Sequence, residues 1–317
     1  MLGKTEAFDV AIIGGGIVSL SAAVYCGRLN LKTVVIGSES GGTLAKTNIV
    51  ENYPGFISIT GIGLTNKVLE HAKQYNNKIF QGVVEKVTWN RRSCFKVRTK
   101  KKDFHAKAII FATGSKWRKL GVPGEEEFTN KGVHYCALCD GPVYKNKIVF
   151  VTGGGDSAVK EALLLSQFAK EVYVLARSKL KPEPINMQRM NANKKIKSFE
   201  GVQIKEIKGT KFVESVVLNK KLGESNVLKA DAVFVDVGHV PLSTLAIPLG
   251  VKVNKNKEII INKESKTNII GIYAAGDVTD TKSKQAITGV GEAVKAVYSI
   301  YEYLNNEKIL CGNVDER

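Results

Sequence analysis

The chain has 317 residues, 44% hydrophobic and 24% charged, the proportions of an ordinary globular protein rather than a disordered or fibrous one. At roughly 150 residues per domain its length predicts about two domains, which excludes a small secreted module. Lys+Arg 47 against Asp+Glu 30 leaves a net charge of +17, and five cysteines are too few for a disulfide scaffold.

Met1–Phe8 is short and polar, without the apolar core or small-residue cleavage site of a signal peptide. No apolar run approaches the ~18 residues of a membrane span. The chain is therefore expected in the cytoplasm, without a membrane partner, where thiols are kept reduced. The first predicted strand, Phe8–Ile13, enters Gly14-Gly15-Gly16-Ile17-Val18-Ser19. An Ala-rich helix follows from about Val18 to Leu29, then a β-branched run at Lys32–Ile36. Strand, glycine turn, helix and strand within about 30 residues is the size of a dinucleotide-binding βαβ unit. The first glycine permits the tight turn, and the second lets the backbone approach a pyrophosphate at the helix N-terminus. The third position must be small, and Ser19 is.

Further along, Gly82–Asn90, Cys94–Thr99 and Asp103–Ala112 alternate around Arg91-Arg92-Ser93 and Lys100-Lys101-Lys102, which predicts a three-stranded meander. It ends in an apolar run before Thr113-Gly114. Next comes Cys136-Ala137-Leu138-Cys139-Asp140. Two cysteines so spaced close a small disulfide ring or supply half a zinc site. A structural zinc site would want a second Cys/His pair, and only His134 is near, so a redox disulfide and no metal are expected. Cys26, Cys94 and Cys311 are isolated and receive no redox role.

Fourteen residues after Cys139 the glycine device recurs. Lys147–Thr152 leads into Gly153-Gly154-Gly155-Asp156-Ser157-Ala158, a helix over 156–169 and a strand at Glu171–Ala176. One such turn is a weak sign; two in the full setting are strong. A second meander is predicted over 202–236. Gln285–Leu304 carries Ile287, Val290, Val294, Val297, Tyr301 and Leu304 at helical spacing, which predicts a helix buried along that face. The clusters Lys100–Lys102 and Lys194-Lys195 lack interleaved aromatics or a groove-reading motif, so no nucleic-acid partner is expected. A positive surface still steers acidic partners.

Two dinucleotide turns with Cys-x-x-Cys-Asp just before the second resemble the low-molecular-weight thioredoxin reductases, FAD-dependent pyridine nucleotide-disulfide oxidoreductases. The resemblance covers nearly the whole chain. It extends to Gly41-Gly42-Thr43-Leu44, Val50-Glu51-Asn52-Tyr53-Pro54-Gly55, Ala112-Thr113-Gly114, Gly238-His239-Val240-Pro241, Ala275-Gly276-Asp277 and Lys284-Gln285-Ala286-Ile287, the last with Lys for the family's Arg. It implies an α/β protein of two Rossmann-like, three-layer dinucleotide-binding domains with β-meanders, the second inserted into the first. Residues 1–116 and 246–317 would form the FAD-binding domain. Residues 117–245 would form the NAD(P)-binding domain that carries the cysteine pair. The implied cofactor contacts in the first domain are Gly14, Gly16, Ser19, Gly37, Ser38, Glu39, Gly41, Gly42, Thr43, Leu44, Asn52, Val84, Ala112, Thr113, Gly114, Gly276, Asp277, Lys284, Gln285 and Ala286. Those in the second are Gly153, Gly155, Asp156, Ser157, Ala158, Arg177, Ser178, Lys181 and Gly238.

The same resemblance implies electron flow from nicotinamide to flavin to a Cys136–Cys139 disulfide, and on to the disulfide of a thioredoxin-like protein. Cys139 would face the flavin, Cys136 would be the interchange thiolate and Asp140 the acid that supplies and accepts protons. Dithiol and nicotinamide site share the inserted domain while the flavin lies in the other. A swing about hinges near 115–120 and 242–248 is therefore expected. A homodimer is implied by resemblance alone. The pattern departs at the nucleotide 2′ position, where the family's His-Arg-Arg and later Arg are replaced by Ala176-Arg177-Ser178-Lys179-Leu180-Lys181. No acid stands there for a ribose 2′-OH, which favours NADPH over NADH, with Lys lacking the bidentate fork of Arg. The alternatives are a glutaredoxin- or peroxiredoxin-type acceptor, a ferredoxin donor, or a non-catalytic FAD-binding redox sensor.

Overall fold

The computed structural model describes residues 7–38, 41–47, 49–89, 94–306 and 311. They divide into two units, Met1–Lys116 with Val240–Arg317, and Trp117–His239. The return crossing thus falls at His239–Val240, earlier than residue 246. Leu242 is held on the first unit's side: its N–H donates to the Gly114 carbonyl at 3.0 Å, and its carbonyl accepts from the Thr113 hydroxyl at 2.7 Å.

In chain order the first unit contributes β1 (Ala7–Ile13), α1 (Ile17–Arg28), β2 (Thr33–Gly37), α2 (Gly61–Lys73), β3 (Lys78–Gln81), β4 (Val84–Trp89), β5 (Phe95–Thr99) and β6 (Asp103–Phe111), with β7 (Ser115–Trp117) at the crossing. The second contributes β8 (Val133–His134), α3 (Ala137–Asp140), β9 (Ile148–Thr152), α4 (Asp156–Leu165), β10 (Glu171–Ala176), α5 (Pro184–Ala192), β11 (Ile196–Glu200), β12 (Ile204–Gly209), β13 (Val213–Leu222), β14 (Ser225–Lys229) and β15 (Ala232–Val235). After β16 (His239–Pro241) the chain closes the first unit with β17 (Ile272–Ala274) and α6 (Ala286–Asn306).

The first sheet has the order β3-β2-β1-β6-β5-β4, with β17 also paired to β6. β6 serves two roles. Its start, from Asp103 to Ala106, closes the expected meander antiparallel to β5, whereas Ile109–Phe111 runs parallel to both β1 and β17. Ile109 and Phe111 enter one apolar core, Ala108 and Ile110 the other, so the run is apolar throughout because both faces are covered. The second sheet, β11-β10-β9-β15-β8, is parallel, and β12-β13-β14 form a separate antiparallel sheet. The second meander therefore ends at β14. Ala232–Val235 is buried at every position and is placed between β9 and β8 instead.

α6 buries Val297 and packs Val290 and Leu304 as its large residues predict, but its contact face is shifted toward its small residues. Ile287 and Tyr301 are 40% and 38% exposed, while Gly289, Ala293, Ala296, Val297 and Ile300 are buried. Small residues decide the contact: a Cβ on Gly289 would lie 2.7 Å from Val18 Cγ2 and 3.0 Å from the Gly276 Cα. A bulky stripe could not approach α1 so closely. Among the described residues no helix is long and apolar enough to cross a membrane.

Candidate active site

In the first unit β1 stops at Ile13 and α1 starts at Ile17, leaving Gly14–Gly16 as the whole turn. Gly14 has φ +140°, and a Cβ there would sit 2.1 Å from the Ala112 carbonyl oxygen, so only glycine fits. The buried Ser19 hydroxyl donates to that same carbonyl at 3.3 Å. Serine at the third motif position thus ties α1 to the end of β6. The Gly41 N–H donates to the Gly15 carbonyl at 2.7 Å and lays the Gly41–Leu44 loop against the turn, and Gly37 abuts Gly15. On the other side, the Gly276 turn is pressed between Val18 of α1 and Gly289 of α6. The N-termini of both helices converge there with little side-chain bulk between them. Their free N–H groups and dipoles favour anionic groups, and the residues present fit a dinucleotide.

Other expected first-unit residues cluster around this cradle. Asn52 Nδ2 donates to Gln285 Oε1 at 3.0 Å, and Ser115 Oγ to Asp277 Oδ2 at 3.4 Å. Thr43 and Ser38 are exposed, Val84 is buried at the start of β4, and Glu39 lies outside the described residues. The ammonium of Lys284 is taken up by the carbonyls of Thr279 and Asp277 and by Glu258 Oε1 at 3.0 Å, so it stiffens the Asp277 turn. Sequence motifs missed Glu292. It is 6% exposed, accepts the Gly276 N–H at 2.7 Å and the Thr279 hydroxyl at 3.4 Å, and also binds the Thr281 hydroxyl. Its only signal was a carboxylate among the apolar positions of the last helix.

In the second unit a Cβ on Gly153 would lie 2.1 Å from the Asp236 carbonyl, whereas one on Gly155 meets nothing within 4 Å. Ala158 is buried, and Ser157 faces outward. The Lys181 N–H donates to the Gly154 carbonyl at 2.7 Å, which brings the exposed Arg177, Ser178 and Lys181 to the border of this turn. The carboxylate of Asp156 accepts from the Glu183 N–H and Asn186 Nδ2, each at 2.8 Å, and pairs with Lys160 at 2.8 Å. Burial works against its charge, but these partners outweigh it and hold the carboxyl below its ordinary range. Glu200 was missed because it arrives on a neighbouring strand, opposite Ala176. It accepts the Leu180 N–H at 2.9 Å beside the nucleotide turn.

Cys136 and Cys139 are joined as a disulfide with Cα atoms 5.4 Å apart. In this disulfide Cys136 is 8% exposed, while Cys139 is open to solvent. The Cys139 N–H donates to Cys136 Sγ at 3.2 Å, with Cys136 as the N-cap of α3. Asp140 Oδ2 lies 3.2 Å from His134 Nδ1, and His134 Nε2 is 2.7 Å from the Tyr144 hydroxyl. Burial lowers the His134 pKa although Asp140 works the other way, so the ring is neutral at pH 7. Burial, reinforced by Asp140 and Asp231, pushes Tyr144 up to about 12. The acid expected beside the dithiol is thus positioned by two residues that carried no motif. Cys94 and Cys311, expected to stand apart, are bonded to each other in the first unit. The reason is tertiary: Cys94, just before β5, and the residue 217 positions later are brought together by folding.

Glu161 Oε1 accepts the Ala137 N–H at 3.2 Å, between the two active cysteines, and its Oε2 is buried without a partner. Burial, then the nearby charge of Asp236, raises its pKa from 4.5 to about 8. Between those values the folded protein holds a proton that the unfolded chain has released. The stability that Glu161 contributes is therefore full below about pH 4.5 and is lost as pH rises to about 8. Glu161→Gln is expected to flatten that fall. Urea midpoints at about pH 5 and about pH 8 check it, and an unchanged slope would contradict the assignment.

Two glycine turns at helix starts, one per unit, with a Cys-x-x-Cys disulfide on the second unit, define a dinucleotide-dependent disulfide oxidoreductase. The chain belongs to the pyridine nucleotide-disulphide oxidoreductase family, whose profile matches residues 8–293. It is 37% identical over 307 residues to the thioredoxin reductase of Bacillus subtilis, covering 96% of each chain. The Lactococcus lactis thioredoxin reductase structure superposes with a TM-score of 0.91 at 36% identity, over 95% of this chain and 100% of that one. The T. acidophilum thioredoxin reductase structure gives 0.88 at 34% identity, over 93% and 98%.

Proposed function

We propose that the protein is a thioredoxin reductase, passing two electrons from NADPH through FAD and the Cys136–Cys139 disulfide to thioredoxin. The observation that carries this is the disulfide with an exposed Cys139, on the unit that also holds the second dinucleotide turn. Bound FAD supplies the two-electron relay between the nicotinamide and the disulfide. Unit one would hold it through the Gly14–Gly16 turn, the Gly41–Leu44 loop, Asp277 and the Asn52–Gln285 pair. The N-terminal end of α6 favours negative charge beside that pair.

Cys139 is the sulfur that a protein disulfide reaches. Its thiolate attacks the thioredoxin disulfide and forms a mixed disulfide, releasing one thioredoxin thiolate. Cys136 then attacks Cys139, restoring the internal disulfide and releasing the second. Asp140, positioned by His134 and Tyr144, takes up and returns the proton. Flavin and protein partner must each reach this dithiol, which requires the inserted unit to turn about its two crossings, at Lys116–Trp117 and His239–Val240 rather than at 242–248. A cytoplasmic homodimer completes this reading, and the +17 charge suits an acidic protein substrate.

Arg177, Ser178 and Lys181, exposed beside the second turn, would take a 2′-phosphate. NADPH is expected to bleach the flavin anaerobically at far lower concentration than NADH. Arg177→Ala should raise the NADPH concentration needed by roughly 10-fold and leave that for NADH unchanged. Equal response to both nucleotides, with no effect of the substitution, would overturn the donor assignment.

A further inference from the structure

Cys94 and Cys311 play no part in the Cys136–Cys139 chemistry, yet they meet in the unit that lacks that pair. Their Cα atoms are 5.2 Å apart, inside the ~4.4–6.8 Å that a disulfide spans, and the sulfurs are bonded. Packing independent of the sulfurs brings the end of α6 beside the neighbour of Cys94. Phe95, next to Cys94, stacks on Trp89 with ring centroids 5.3 Å apart. The space that a Gly271 Cβ would occupy is bounded by Phe95 Cε2 at 3.0 Å and the Tyr303 hydroxyl at 3.4 Å. Tyr303 is in the last turn of α6, which ends at Asn306, five residues before Cys311. The end of the helix that precedes Cys311 therefore already lies beside the neighbour of Cys94.

We propose that Cys94 and Cys311 form a second, reversible disulfide, a redox-modification site separate from the reductase dithiol, that ties Cys311 to the start of β5. Cys94 is 4% exposed and Cys311 only half-buried, so Cys311 is the sulfur open to exchange. Its thiolate attacks a low-molecular-weight disulfide, RSSR, forming a mixed disulfide and releasing one thiolate. The Cys94 thiolate then attacks the Cys311 sulfur and releases the second. Two protein thiols are oxidised, and RSSR is reduced to two RSH. A dithiol reductant attacking the Cys311 sulfur reverses the sequence. The bond spans 217 residues against 3 for Cys136–Cys139, so it restricts the unfolded chain far more. The inference does not rest on the thioredoxin reductase reading.

The test uses the FAD-loaded chain carrying Cys136→Ser and Cys139→Ser, which retains Cys26, Cys94 and Cys311. Cys26 is fully buried, and burial pushes its thiol up to about 12, so it stays reduced. After equilibration with oxidised glutathione, alkylation in denaturant should label Cys26 alone. After dithiothreitol it should label all three. Peptide mapping should find the Cys94 and Cys311 peptides linked. The Tm of the oxidised form should exceed that of the reduced form by roughly 5–10 °C, and the gap should vanish on adding Cys311→Ser. Three labelled thiols after oxidation, or separate glutathione adducts on Cys94 and Cys311, would overturn the site. A linked pair without a Tm difference would overturn the tether.

Discussion

Replacing Cys136 by serine is expected to abolish thioredoxin reduction, by on the order of 10³-fold or more, while leaving an exposed Cys139 thiol that captures thioredoxin as a stable mixed disulfide. Cys139→Ser should be equally inactive in turnover but form that adduct far more slowly, because the remaining sulfur is only 8% exposed. Both variants should retain FAD, and NADPH should still bleach it, since neither sulfur belongs to the dinucleotide cradles. Non-reducing electrophoresis with oxidised thioredoxin separates the two outcomes. Faster capture by Cys139→Ser would return the interchange role to Cys136, as the resemblance alone implied. Loss of flavin bleaching in both variants would instead point to misfolding.

The second large effect is expected at Glu292. Its carboxylate binds the Gly276 N–H and the hydroxyls of Thr279 and Thr281 where water does not reach. Glu292→Ala strands those donors in a buried site, and each unsatisfied group costs about 1–3 kcal/mol. Part of that cost falls on the geometry of the Gly276-Asp277 turn, so FAD affinity should fall by roughly 100-fold, equivalent to about 2.8 kcal/mol. Glu292→Gln keeps one acceptor oxygen and should lose much less. The flavin-to-protein absorbance ratio after gel filtration, and FAD titration of the apoprotein, measure this. Retention of FAD by the alanine variant at the parental level would show that the turn holds itself.

Legibility in the sequence followed the range of the interaction. Gly14–Gly16, Gly153–Gly155 and Cys136–Cys139 were readable because each device is built from contiguous residues whose backbone shape and chemistry are local. The meander strands β4 and β5 were readable for the same reason, through alternation and turn residues. The course of β6 was less so, since its apolar end is a meander strand by pattern and a central parallel strand by partner. The last helix was legible in part: Val290, Val297 and Leu304 pack inward, whereas Ile287 and Tyr301 do not, because close approach to Val18 and Gly276 selects the glycine and alanine side.

By itself, the sequence determined that this chain has two dinucleotide turns and one dithiol, and in what order. Those features depend on neighbours a few residues apart. Tertiary structure alone decided that Glu292 pins the Gly276 turn from 16 residues away, that Glu161 lies against the dithiol, and that Glu200 borders the second turn. It also decided which active cysteine is exposed and joined Cys94 to Cys311. Burial and the choice of a buried group's partner arise only when distant segments pack, and no spacing along the chain encodes them.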